Sequence, residues 1–139
     1  MNTYIGSKLV TAAPMSQQAY SHFRSQPIPE DSWAQAEGFL VEDPKGKANT
    51  LCYSGAVSWL PHLQFRAEYL DLGDLKEVPP YLQRLHGELA QLQEKLSGLI
   101  LFIKSDHFFK LNHKHRELLL EQTRVMTRYV FILEDRIQS

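Results

Sequence analysis

The spacing of leucines in the last third of the chain limits its possible folds more than any other feature. Leu82, Leu85, Leu89, Leu92, Leu96, Leu99 and Ile103 recur in alternating steps of three and four. That rhythm draws an unbroken apolar seam along one face of a helix of about 24 residues. A second run over 115–138 gathers Leu119, Gln122, Met126, Tyr129, Val130, Leu133 and Ile137 in one stripe. Residues 105–114 between them suffice only for a reversal, so the spacing predicts two long antiparallel helices. Such a hairpin cannot bury both its faces alone, and an upstream module or a second subunit must help.

With 139 residues the chain has room for one domain, or for a small module plus the hairpin. Its apolar fraction of 43% and charged fraction of 22% are those of a folded protein. A formal net charge of −1 supplies no bulk field for holding polymeric nucleic acid by its backbone. The single cysteine, Cys52, excludes an internal disulfide framework or a CxxC site and suits a reducing cytosol. The opening residues lack the apolar core of a signal peptide, and no run reaches membrane-spanning length. The expectation is a soluble, cytoplasmic protein.

Upstream, residues 4–10 alternate apolar and polar side chains and predict a first strand, broken by Thr11-Ala12-Ala13-Pro14. Met15, Ala19, Tyr20 and Phe23 share one face of a short helix over 15–24, with Ser16 as N-cap. A proline-rich linker follows over 26–31, with Trp33 in the polar segment beyond it. Residues 38–42 read as a second strand, 43–46 as a turn, and 51–59 as a third strand bent at Gly55. Pro61 opens another short helix carrying Leu63, Phe65 and Tyr69, and residues 71–79 form the connector. The fold class is α+β: a small antiparallel sheet with short helices over 1–70, a connector over 71–79 and a helical hairpin over 80–139.

Catalytic constellations are hard to assemble. His107, His113 and His115 lack cysteine or carboxylate partners at metal-site spacing, and no metal is expected. No nucleophile elbow or phosphate-cradling glycine loop is present. Asp71 with Asp74, and Glu117 with Glu121, read as solvated carboxylates with no apolar pocket to raise a pKa. The chain therefore reads as a non-enzyme without a cofactor. Arg124 and Arg128 are the most informative pair, sharing one side of the second helix with Glu117, Glu121 and Asp135, and with Leu120 and Phe131 at its edge. They form either ion pairs (Glu121 with Arg124, Arg128 with Asp135) or a double-guanidinium clamp for a phosphate or pyrophosphate. Phe102, Phe108, Phe109 and Trp59 add flat faces on which a nucleobase could stack, and core packing is the alternative for each.

Two segments resemble a known family. The hairpin, through Phe102-Ile103-Lys104-Ser105-Asp106-His107-Phe108, Leu118-Leu119-Leu120-Glu121-Gln122 and the run from Met126 to Ile137, resembles a phage-encoded helical-hairpin domain. That domain is shared by Thoeris anti-defence proteins of the first type and by sponges that counter CBASS immunity. The front half, through Tyr4-Ile5-Gly6-Ser7-Lys8, Ala13-Pro14-Met15-Ser16, Glu37-Gly38-Phe39-Leu40-Val41 and Val57-Ser58-Trp59, is similar to the N-terminal module of the same proteins.

The resemblance implies a non-catalytic sponge in the bacterial host cytoplasm. It would bind a cyclic nucleotide second messenger, glycocyclic ADP-ribose or a cyclic oligonucleotide, and assemble as a homodimer or larger, up to a hexamer. By the same resemblance Arg124 and Arg128 face phosphates, Arg66 is a further phosphate contact, Phe102 stacks on the base, and His107 is a polar contact. Where the family pattern has Arg-Gly-Trp followed by Pro, this chain has Arg24-Ser25-Gln26-Pro27, which removes an aromatic that could cap a purine. The competing reading is a protein-interaction or structural module whose hairpin oligomerises or docks a partner protein.

Overall fold

The computed structural model describes residues 1–27 and 36–139, so Trp33 and most of the linker lie outside the described residues. The chain forms two compact units, Met1–Tyr69 and Leu70–Ser139.

The first unit is built on an antiparallel sheet of β1 (Thr11–Pro14), β2 (Gly38–Asp43) and β3 (Ala56–Pro61), in that order. β2 is central because its residues are apolar on both faces: Gly38, Phe39, Leu40 and Val41 are all buried. The register pairs Thr11 with Glu42 and Pro14 with Phe39 on one side, and Gly38 with Pro61 and Asp43 with Ala56 on the other. α1 (Gln17–Phe23) starts where Ser16 accepts a hydrogen bond from the Ala19 N–H at 3.1 Å, the cap expected from sequence. α2 (His62–Glu68) follows β3 directly, with Pro61 at its N-cap. Phe39, Val41 and Phe65 form the core, with Val10, Leu60 and Tyr69 packed against it. Phe39 stacks on Phe65 at 4.2 Å and Phe65 on Tyr69 at 5.0 Å.

Two strand assignments shift. The first strand is not 4–10 but Thr11–Pro14, the segment expected to break it. Alternation marks what can be a strand, whereas pairing to β2 decides what is one, and a proline is tolerated at the end of an edge strand. Residues 4–10 are held instead by a side chain, with Lys8 Nζ 3.2 Å from Asp43. The third strand begins at Ala56 rather than Leu51 because Leu51 and Cys52 are exposed and Gly55 ends the turn. Gly55 lies so close to the Asp43 carbonyl that a Cβ would collide with it. Asn49 closes the outer edge of β3, its side chain exchanging two 2.8 Å hydrogen bonds with the Val57 N–H and C=O.

The second unit is the hairpin. α3 (Pro80–Ile103) opens with a proline at its first position, where the missing N–H costs nothing. Gln83 ties the connector to it by donating to the Leu75 and Val78 carbonyls. The reversal contains one short helix, α4 (Asp106–Phe109). Phe108 is buried there and Phe109 is exposed, so of the two rings only Phe108 packs into this end of the hairpin. α5 (His113–Gln138) starts two residues earlier than expected because Asn112 caps it, accepting from the His115 N–H at 2.9 Å. Among the described residues no helix is long and apolar enough to cross a membrane.

Candidate functional site

Only part of the α5 stripe expected to be covered is covered. Leu119, Met126, Val130, Leu133 and Ile137 are buried or half-buried, whereas Gln122 and Tyr129 are exposed. Thr123 and Thr127 fill the row instead, because each hydroxyl donates to the carbonyl four residues back, Leu119 and Thr123. Tyr129 reaches across to α3 and donates its hydroxyl hydrogen bond to Glu88, so these two positions lie level in the antiparallel hairpin.

The opposite side of α5 carries the charges. Arg124 and Arg128, one turn apart, are both exposed and share it with Glu121 and Asp135. Arg124 donates from Nε to Glu121 Oε2 at 3.0 Å and from Nη2 to Oε1 at 2.5 Å, a bidentate pair in open solvent. The pairing holds the Glu121 carboxyl below its ordinary pKa and the Arg124 guanidinium above its own. The second expected ion pair does not form: Arg128 has no carboxylate partner among the described residues. Exposed apolar residues border the strip on both flanks. Leu120 and Phe131 lie on one, as the sequence indicated, and Leu118, Val125 and Ile132 on the other. The second flank escaped sequence reading because its spacing is masked by the better-defined seam beside it.

The remaining candidates stand elsewhere. Phe102, part-exposed at the end of α3, is level with the first turn of α5 in the register that places Tyr129 level with Glu88. That puts it about nine residues, or about 14 Å, along the axis from Arg124. His107 is exposed on α4, beyond the end of α3. One hairpin therefore brings Arg124 and Arg128 together and leaves Phe102 and His107 at its closed end. Arg66 belongs to the first unit, exposed on α2, with its guanidinium 5.1 Å from the centre of the Phe39 ring.

Two open hollows flank α1 in the first unit. One, of about 450 Å³, is lined by Ser16, Gln18, Ala19, Ser21, His22 and Gln26. The other, of about 290 Å³, lies between Phe23, Arg24 and the loop from Asn49 to Cys52. Among the described residues neither presents two cations to an anion. Gln26, at the position of the absent aromatic, follows a left-handed Ser25 (φ 53°). The Gln26 and Ser25 N–H groups return to the Ser21 and His22 carbonyls, closing α1 in a turn that usually takes glycine.

No curated protein and no solved structure matches the chain. Residues 79–139, which hold α3, α4 and α5, match the family model described as Sequestin, a match that fits a sequestering protein of the broad kind the sequence resemblance points to.

Proposed function

We propose that the protein binds a cyclic signalling nucleotide of bacterial immunity, glycocyclic ADP-ribose or a cyclic oligonucleotide, and holds it uncleaved so that its effector is not activated. The observation that carries this reading is the position of the Sequestin match: it falls on the unit that exposes Arg124 and Arg128. The family's name speaks of sequestration. Holding a ligand stoichiometrically asks for affinity without turnover, and guanidinium forks supply that without base, nucleophile or metal. Arg128 offers a whole fork to a phosphate, and Arg124 the donors that Glu121 leaves unused. Phe102, His107 and Arg66 are assigned to the base and to further phosphates. Because Phe102 and His107 stand apart from the arginine pair on one hairpin, the site is completed by a second copy, in a dimer or a larger assembly up to a hexamer. The exposed apolar flanks of α5 give the copies a reason to associate. The protein acts in the host cytoplasm.

The experiment is a calorimetric titration with glycocyclic ADP-ribose and a panel of cyclic oligonucleotides, followed by heat denaturation to recover the ligand. Saturable heat with intact ligand released is the expected result. A consumed ligand would mean an enzyme. No heat with any nucleotide would favour the second reading, a protein-docking module, which the Glu121–Arg124 ion pair and the apolar flanks also suit.

A further inference from the structure

We infer that Glu121 is an internal competitor for Arg124, setting how strongly the arginine pair takes a second phosphoryl group; this rests on the phosphate-binding reading of Arg124 and Arg128. A guanidinium has five N–H donors arranged as forks. Glu121 occupies the side fork of Arg124, formed by Nε and Nη2. What remains is the end fork of Nη1 and Nη2, beside a carboxylate that repels any anion approaching it. Arg128 carries no such partner among the described residues.

The two arginines are therefore unequal although they sit one turn apart on one face. A single phosphate settles on Arg128 and feels little of Glu121, which lies two turns away. A pyrophosphate that spans both side chains has to share Arg124 with Glu121 or displace it. Because both side chains of the pair are largely exposed, displacement is feasible, and the carboxylate lowers affinity without blocking the site. Glu121 thus moderates capture of compounds with adjacent phosphates and leaves capture of isolated phosphates alone.

The test is titration of the full chain with inorganic pyrophosphate and orthophosphate at low ionic strength, comparing wild type, E121Q, R124Q, E121Q/R124Q and R128Q. E121Q is expected to tighten pyrophosphate binding roughly two- to fivefold, the scale of an exposed ion pair, and to leave orthophosphate within about twofold. The gain should vanish in E121Q/R124Q. Weaker or unchanged pyrophosphate binding in E121Q, or a gain that survives without Arg124, overturns the role of Glu121 while an R128Q defect keeps the site. If neither wild type nor E121Q binds pyrophosphate, the arginine site falls, and the role of Glu121 with it.

Discussion

The two units solve the same problem of burying a small apolar surface in opposite ways. The first collects residues distant in sequence: Val10, Phe39, Val41, Leu60, Phe65 and Tyr69 meet only because three strands pair. Side chains finish its backbone, Asn49 at the edge of β3, Glu42 at the Gly55 N–H, and Trp59 at the Met15 carbonyl. The second is made from two local helices with a narrow buried row, in which Leu85, Val130 and Leu133 are the buried aliphatics. Its outer surface keeps Leu101, Leu118, Val125, Phe131 and Ile132 in water. The sheet unit leaves Ile5, Leu51 and Leu63 exposed on separate segments, whereas the hairpin gathers exposed apolar side chains beside its arginines. A binding surface is more readily grown on the second kind of scaffold, because its outer face is not needed to hold it together.

Substitutions can break that contrast. Leu133 is 0% exposed and Leu101 70% exposed. Leu133→Ala should cost about 2–5 kcal/mol in chemical denaturation, and Leu101→Ala less than about 0.5 kcal/mol. Equal losses would mean that the outer face is structural after all. In the sheet unit Asn49→Ala strips two hydrogen bonds from Val57, and a loss of about 1–3 kcal/mol is expected, read as faster amide exchange along β3. Ser25→Gly relieves a left-handed position and should stabilise by about 1 kcal/mol in the same assay, without altering the hairpin's exchange pattern.

The smallest effects are electrostatic. Asp43 is held below its ordinary pKa by the Lys45 N–H and then by Lys8, and Glu121 by Arg124. A depressed carboxylate contributes stability that is present above its unfolded pKa, about 4, and is lost as pH falls through the native value. Lys8 is raised by Asp43, so its contribution is present below about pH 10.4 and fades as pH rises through the native value. All of these groups are solvated, so melting curves should sag only slightly at both extremes. Asp43→Asn should flatten the acid limb by removing the carboxylate and the alkaline limb by removing the partner of Lys8.

How far the residues announce this arrangement also differs between the units. The hairpin is legible because its leucines repeat with the helix and need no partner to define them. Asn112 shifted its second start, and Thr123 and Thr127 replaced Gln122 and Tyr129 in the seam, since a hydroxyl bonded to its own helix can face inward. In the sheet unit the α1 cap at Ser16 and the strand over Gly38–Asp43 were legible as local patterns. The edges were not, because residues 4–10 alternate and 51–55 read as part of a strand, yet neither has a strand opposite it among the described residues. At the arginine strip, spacing foretold that Arg124 and Arg128 share a side and that Glu121 pairs with Arg124. It could not foretell that Arg128 leaves Asp135 alone, since exposed side chains choose among partners of nearly equal energy.

The arginine strip as the seat of ligand capture is tested most directly by charge reversal at both positions, R124E/R128E, titrated with the nucleotide that wild type binds. The account predicts that binding heat disappears while the melting temperature stays within a few degrees, as for exposed side chains. Unimpaired binding in the variant, or a protein that no longer folds, would contradict it.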